Sequence, residues 1–153
     1  MKTEYRQADI LKVFPWIKRQ TLMSWSRMGL LQAEYGEARG TQGIWRSYSY
    51  DNLLEIALIS EFTYNGVNPR SLMLVIEEYR LAIRRGAFDR VFFIGRTKGR
   101  NGFSIRFADA SESEFDRYTT NGLFFDPNWK MSSFTAISLR SLKEYVDREI
   151  QGL

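Results

Sequence analysis

The sequence contains no cysteine and no histidine among its 153 residues. These two absences exclude disulfides, thiolate metal sites, zinc fingers and imidazole catalysis. No apolar run approaches the roughly 20 residues that a membrane-spanning helix needs. The N-terminus, Met-Lys-Thr-Glu-Tyr-Arg, also lacks the apolar core of a signal peptide. We therefore expect a cytoplasmic protein with no membrane partner.

The positive charge is concentrated at the N-terminal end of the chain. The net charge is +4, and residues 1–50 carry eight lysines and arginines against four acidic residues. Residues 51–86 carry four against five, and residues 87–153 carry ten against nine. A cationic surplus on one segment is typical of a nucleic-acid-binding surface, although on charge alone a solvated basic face is an equal interpretation.

The segment from residue 17 to residue 31 predicts a short helix with a cationic start. Its apolar residues recur close to helical spacing, at Ile17, Leu22, Trp25 and Met28. Gly29 supplies the stop, because glycine adopts a left-handed conformation without a steric penalty. Three long donor side chains occupy the first turn, namely Lys18, Arg19 and Gln20.

A shorter helix is predicted just before it, from Gln7 to Val13. Pro15 ends this helix, because the residue before a proline avoids the helical region. The interval to Ile17 then becomes a turn. A helix, a turn and a second helix with donors at its N-terminal end form the arrangement that places side chains in a DNA major groove.

A glycine-rich segment, residues 32–48, follows the second helix and is punctuated by Gly36, Gly40 and Gly43. This composition predicts a two-stranded wing with a flexible tip. Arg46 in the wing is suited to the phosphate backbone, which receives most protein–DNA hydrogen bonds. For Trp45, packing on the helices is the preferred interpretation.

These residues resemble the MerR family of winged helix-turn-helix regulators. The family pattern is roughly Val-x-x-x-Thr-Leu-Arg-x-Tyr-Glu-Arg-x-Gly-Leu-Leu, followed by a wing that ends Tyr-Arg-x-Tyr-Ser. The first part is matched without a gap by Ile17, Thr21, Leu22, Arg27, Gly29, Leu30 and Leu31. The second part is matched by Trp45, Arg46, Tyr48 and Ser49. Trp25 stands in place of a tyrosine, and Met23 in place of an arginine with which the family usually contacts a phosphate. The resemblance covers about residues 5 to 85.

The resemblance implies a sequence-specific transcription regulator that binds double-stranded DNA as a homodimer. The residues that would approach base edges are Lys18, Arg19 and Gln20. The residues that would hold phosphates are Trp25, Arg27, Arg46 and Tyr48. Two alternatives stay open: a protein-interaction adaptor that keeps the scaffold without binding DNA, and an excisionase-like architectural protein. Met23 and the modest net charge favour the adaptor, whereas the long second half of the chain argues against the excisionase.

Two more helices are predicted in the N-terminal half. Ser49 is a good N-cap for a largely buried helix from Tyr50 to about Asn65. Asn68-Pro69 starts another helix, which runs to about Arg85. This last helix has no sustained heptads, so a dimer must use something other than a long coiled coil.

The second half predicts a small phenylalanine-rich α+β unit. Its predicted strands lie near residues 91–94, 103–107, 122–125 and 134–138, and a terminal helix is capped by Ser138 or Ser141. The first two strands form a hairpin with a polar turn from Gly95 to Gly102. The acidic residues from 109 to 116 form a loop or a single helical turn. Core packing and dimer contacts explain the aromatic residues better than a ligand pocket does. The apolar stripe of the terminal helix is the preferred dimer element, and a small-molecule effector is left open without a residue to support it.

No catalytic pattern emerges from the sequence. The acidic residues between 109 and 116 do not follow a calcium-loop spacing, and no common nucleophile–base pair is available. A cluster of Arg96, Lys98 and Arg100 is better interpreted as a solvated hairpin tip than as a phosphate contact. We therefore expect no enzyme, no cofactor and no metal.

The complete prediction is an α+β fold in two domains. Residues 1–86 form a winged helix-turn-helix domain of about four helices with a β-wing. Residues 87–153 form a small α+β effector or oligomerisation domain, with a short antiparallel sheet and one terminal helix. The operator sequence and the direction of regulation do not follow from these patterns.

Overall fold

The structure, a computed structural model, describes residues 4–35, 46–73, 75–99, 102–120 and 131–153. Over these residues the chain is mixed α+β, with seven helices and two three-stranded antiparallel sheets. The fold class is therefore confirmed at the level of α+β. The chain divides into two units, of which unit 1 comprises Met1–Gly86 with Leu142–Leu153 and unit 2 comprises Ala87–Ser141.

Unit 1 begins with a short strand and two helices. Strand β1 spans Tyr5–Arg6, helix α1 spans Gln7–Val13 and helix α2 spans Arg19–Arg27. The first helix is confirmed at its predicted bounds. Helix α2 lies inside the predicted one, with Lys18 as its N-cap. Gly29 follows it at φ +76°, a conformation that suits glycine.

A three-stranded sheet connects the start of the chain to the predicted wing. Strand β2 spans Glu34–Tyr35, strand β3 spans Arg46–Tyr48, and the strand order is β1-β3-β2. Strands β2 and β3 are antiparallel, with Tyr35 opposite Arg46. The predicted tip of the wing, with its three glycines, lies outside the described residues.

Helix α3, Tyr50–Tyr64, confirms the predicted buried helix and its cap. The Ser49 hydroxyl accepts a hydrogen bond from the Asn52 backbone N–H at 3.2 Å. The Asn52 side chain in turn accepts one from the Ser49 backbone N–H at 3.1 Å. This reciprocal pair satisfies two donors that a helix N-terminus otherwise leaves without partners.

The predicted fourth helix is two helices, so the expectation of one continuous element is wrong. Helix α4 spans Pro69–Leu72 and helix α5 spans Ile76–Arg84. Between them the Val75 backbone N–H bonds to the Leu72 carbonyl at 3.1 Å, a spacing of three residues in place of the four of an α-helix. Val75 itself has φ −123°, outside the helical range. No glycine or proline marks this break in the sequence.

Unit 2 contains a three-stranded sheet of order β5-β4-β6. Its strands are β4 (Arg90–Gly99), β5 (Gly102–Ser111) and β6 (Met131–Ser138). The predicted hairpin and the strand ending at Ser138 are confirmed. The hairpin strands are longer than predicted, because pairing continues from Ile94 opposite Phe107 to Gly99 opposite Gly102. The strand predicted at residues 122–125 lies outside the described residues.

Helix α6, Glu112–Thr120, replaces the predicted loop or single turn. Ser111 and Glu114 cap it reciprocally: the Glu114 carboxylate accepts from the Ser111 backbone N–H at 3.0 Å, and the Ser111 hydroxyl accepts from the Glu114 backbone N–H at 3.3 Å. The Ser111 backbone N–H and the Ser111 hydroxyl, which also donates to this carboxylate at 3.1 Å, hold the pKa of Glu114 below its usual value. The Ser-x-x-Glu spacing is a helix-start signal that the sequence reading overlooked.

Helix α7, Leu139–Ile150, begins as predicted after Ser138, whose hydroxyl accepts from the Ser141 backbone N–H at 3.3 Å. From Leu142 onward, however, the chain belongs to unit 1. Of the terminal helix that was predicted for the second domain, only Leu139–Ser141 lies in unit 2. Part of the apolar stripe of α7 is covered within the same chain, since Val146 is fully buried and Leu142 nearly so, whereas Tyr145 and Ile150 are half-buried. The prediction of α7 as the dimer element stays a prediction, with Tyr145 and Ile150 as the stripe residues that keep exposed surface.

Candidate nucleic-acid interface

The first turn of α2 presents the three predicted donors together. Lys18, Arg19 and Gln20 are all exposed. The Lys18 carbonyl accepts hydrogen bonds from the backbone N–H groups of Thr21 and Leu22, at 2.9 and 3.2 Å. The backbone is thus fixed, while the three side chains project from the surface.

The positive charge at the N-terminus of α2 is unusual for a helix. An N-cap is usually Ser, Thr, Asp or Asn, and acidic residues stabilise a first turn because the helix dipole is positive there. In α2 the cap is Lys18, no side chain caps the helix and the first turn has no acidic residue. Neither Lys18 nor Arg19 pairs with an acidic residue in the described ranges. Cations at a positive helix end disfavour the helix but favour a bound anion such as a phosphate.

Trp25 anchors α2 instead of reaching outward. Its side chain is only 4% exposed, beside the fully buried Leu22. Its carbonyl accepts hydrogen bonds from the backbone N–H groups of Leu30 and Leu31, at 2.9 and 3.2 Å, which closes the helix end. The predicted phosphate contact by Trp25 is therefore wrong, because the indole belongs to the core.

The two predicted wing residues, Arg46 and Tyr48, also differ in their burial. Tyr48 is fully buried in β3 and lies opposite Tyr5 of β1. It is a core residue, and the predicted phosphate contact by its side chain is also wrong. Arg46 is half-buried at the other end of β3, whereas Arg27 is exposed in the last turn of α2. Of the four predicted phosphate ligands, Arg27 and Arg46 are thus the two whose side chains are accessible to solvent.

A buried ion pair fixes the end of α2 against the helices behind it. Arg80, 2% exposed, donates from Nε to Glu55 Oε1 at 3.2 Å and from Nη2 to the Leu30 carbonyl at 2.9 Å. Its Nη1 also contacts the exposed Glu77 carboxylate. Burial raises the pKa of Glu55, and the adjacent Arg80 charge opposes that rise. This network connects α3 and α5 to the residue that follows Gly29.

The turn between α1 and α2 is aromatic and partly exposed. Trp16 is 50% exposed. Its ring meets Phe14 edge-on at 5.9 Å between centroids, and it meets Tyr145 of α7 at 5.9 Å. The Arg148 guanidinium lies 5.4 Å from the centre of the Tyr145 ring. The sequence does not predict this cluster, because Phe14 and Trp16 lie near one end of the chain and Tyr145 and Arg148 near the other.

A second contact holds α7 against the start of α3. The Tyr50 hydroxyl donates to the Asp147 carboxylate at 2.5 Å, and Lys143 pairs with the same carboxylate. Burial raises the pKa of Asp147, but the hydrogen bonds from Lys143 and Tyr50 outweigh it and leave this pKa below its usual value. Burial and the adjacent carboxylate raise the pKa of Tyr50.

No protein-family model matches this chain, and no curated protein is significantly similar to it. The resemblance carried by the segments around residues 17–31 and 45–49 therefore stays a prediction. In the parts of the chain that the structure describes, no helix has both the length and the apolar character to cross a bilayer. The same parts hold no group of three acidic side chains that would bind a metal ion.

Proposed function

We propose that the chain is a sequence-specific, DNA-binding transcription regulator with a MerR-like winged helix-turn-helix. In this proposal α1 and α2 form the helix-turn-helix, and β2 and β3 are the strands of the wing. The observation that carries the proposal is the first turn of α2, where three exposed donors occupy a helix start without an acidic residue. A DNA phosphate or a base edge supplies the acceptors that this turn lacks.

The proposed roles follow from exposure. Lys18, Arg19 and Gln20 approach base edges, where long donors read guanine and adenine. Arg27 and Arg46 contact phosphates on either side and set the register. Trp25 and Tyr48 act indirectly, by packing α2 and β3 into the core.

The interior of unit 1 suits this role because it keeps α2 rigid. The Arg80–Glu55 pair and the Leu30 carbonyl fix the C-terminal end of α2. The Asn52 side chain donates to the Gln32 carbonyl at 3.0 Å, on the path from α2 to the wing. A recognition helix held at its far end offers its first turn in one orientation, which base readout requires.

Dimerisation is part of the proposal, because one short recognition helix contacts too few bases to specify a unique site. A dimer binds two half-sites and so contacts twice as many bases. On α7, Leu142 and Val146 are buried within the same chain, whereas Tyr145 and Ile150 are only half-buried. On α5, Leu81 is 45% exposed and is an apolar side chain that a partner subunit can cover. The proposed dimer contact therefore lies on α5 or on the exposed edge of α7.

The experiment is selection of bound fragments from random duplex DNA, followed by binding measurements across a salt series. We expect an inverted-repeat motif and a steep loss of affinity with salt, since each neutralised phosphate releases counterions. Failure to enrich any motif, with weak binding even at low salt, contradicts the proposal.

A second candidate function is a protein-interaction adaptor on the same scaffold. The observation in its favour is the half-exposed Trp16 against Tyr145 and Arg148, since Trp, Tyr and Arg are the residues most enriched at interface hot spots. Its signature is capture of a protein partner that excess duplex DNA does not displace and that Trp16→Ala abolishes. Capture that competing DNA prevents contradicts the adaptor.

A further inference from the structure

Helix α7 reaches the helix-turn-helix from the far end of the chain. The Tyr145 hydroxyl donates a hydrogen bond to the Val13 carbonyl at 2.7 Å, across 132 positions of sequence. Val13 is the last residue of α1, and carbonyls in the last turn of a helix lack partners within it. Tyr145 therefore caps α1 with a side chain from another element.

The Tyr145 ring also holds the turn that follows. Its centroid lies 6.1 Å from Phe14 and 5.9 Å from Trp16. Phe14 is fully buried, and its carbonyl accepts the Ile17 backbone N–H at 2.9 Å. The turn is thus fixed by its own backbone on one side and by Tyr145 on the other.

The start of α2 depends directly on this turn. Lys18, the N-cap of α2, follows Ile17, and the Ile17 side chain is 6% exposed in the core. The path from Val13 to Lys18 therefore sets where the first turn of α2 points. A shift of about 1 Å there is enough to misplace a hydrogen bond to a base, because such bonds weaken steeply with distance and angle.

A second contact keeps α7 in place. Asp147, two residues beyond Tyr145, accepts from the Tyr50 hydroxyl at the first turn of α3. Tyr50 follows β3 and the Ser49 cap directly. Helix α7 is thus anchored at the helix-turn-helix and at the end of the wing strand.

We propose that Tyr145 is a positioning residue for DNA recognition, acting through the Val13 carbonyl and the aromatic turn on the orientation of α2. The inference rests on the proposed function, and it adds the terminal helix to the machinery that sets specificity. Tyr145 does not touch DNA. Its loss changes selectivity and leaves the number of phosphate contacts unchanged.

The test compares Tyr145→Phe with Tyr64→Phe in the full chain. Tyr145→Phe removes the hydroxyl and keeps the ring against Phe14 and Trp16. Tyr64→Phe is the same chemical change at a tyrosine that is 85% exposed, so it serves as the matched control. Three quantities are measured: hydrogen exchange of the Ile17 backbone amide without DNA, the affinity ratio of the selected duplex to a scrambled duplex, and the salt slope of binding to the selected duplex.

We expect Tyr145→Phe to speed exchange at Ile17 and to lower the affinity ratio by about 2- to 12-fold, the range of one net hydrogen bond. The salt slope stays at the wild-type value, because no phosphate contact is lost. Tyr64→Phe leaves all three quantities unchanged.

Unchanged exchange at Ile17 in Tyr145→Phe overturns the inference, because the hydroxyl then does not hold the turn. Faster exchange with an unchanged affinity ratio overturns it as well, since Tyr145 is then only a structural residue. If the wild-type chain selects no duplex, the proposed function is wrong, and the role of Tyr145 in DNA recognition is wrong as well. If the wild-type chain selects a duplex and Tyr145→Phe binds it with the same affinity ratio, the inference about Tyr145 is overturned and the proposed function stands.

Discussion

Arg80 and Glu55 form an ion pair in the interior of unit 1, with Nε 3.2 Å from Oε1 and side chains only 2% and 6% exposed. The two residues lie on α5 and α3, and Arg80 extends the pair to the Leu30 carbonyl beyond α2. A buried charge is tolerated only when it is paired and hydrogen-bonded. The loss of one partner from this pair is therefore expected to be strongly destabilising.

Glu55→Ala is expected to destabilise the chain by about 3–5 kcal/mol, because it removes the buried partner of the Arg80 guanidinium and leaves only the exposed Glu77 carboxylate to balance its charge. Urea denaturation at neutral pH measures the effect. The control is Glu78→Ala on the exposed face of α5, which should stay within about 0.5 kcal/mol of wild type.

A double variant separates the charge from the packing. Glu55→Met with Arg80→Leu removes both charges and keeps apolar volume, so its stability should recover most of the loss. If Glu55→Ala lowers the free energy of unfolding no more than Glu78→Ala does, the buried pair does not have the predicted effect on stability.

The Asp147 carboxylate should make stability depend on acid pH. Its pKa is depressed in the folded chain, so its contribution is complete above the unfolded value of about 3.9 and is lost as the pH falls through the folded pKa. We expect Asp147→Asn to lower the urea midpoint at pH 7 and to lower it less at pH 3, below the unfolded pKa. The exposed Glu144→Gln on the same helix is the control. An equal effect of Asp147→Asn at both pH values contradicts the assignment.

Ser49→Ala should destabilise the chain by about 1 kcal/mol, within the range of roughly 0.5–2 for a lost N-cap. The hydroxyl accepts the Asn52 backbone N–H at the start of α3, and alanine leaves that donor without its partner. Ser141→Ala is a suitable control, because Ser141 is exposed and contributes only its backbone N–H to the cap of α7. Equal unfolding free energies for the two variants would argue against the cap.

Elements with local signals could be predicted from the sequence. Helix α1 ends before Pro15, and α3 begins at the Ser49 cap, because caps and breakers act within a few residues. The Ser111–Glu114 capping box is a local signal as well, although the sequence reading overlooked it.

Features that depend on distant contacts could not be predicted. Arg80 lies in a charged run that resembles a solvent-exposed face, and its burial depends on Glu55 and on the Leu30 carbonyl, which are 25 and 50 positions away. Tyr48 matches the binding motif and Trp25 replaces its tyrosine with another aromatic residue, but the burial of both depends on how the helices pack. The position of α7 depends on Tyr145 reaching Val13, a relationship that no periodicity encodes.

The most direct test of the central claim, that the first turn of α2 and the wing meet DNA, is the salt dependence of binding to the selected duplex. Wild type, Lys18→Ala, Arg46→Ala and the exposed control Arg85→Ala are compared. We expect Lys18→Ala to weaken binding by about 1–3 kcal/mol and to relax specificity at one position. Arg46→Ala should weaken binding on all sequences and reduce the salt slope by about one, and Arg85→Ala should behave as wild type. Unchanged affinity and salt slope in both Lys18→Ala and Arg46→Ala would contradict the account.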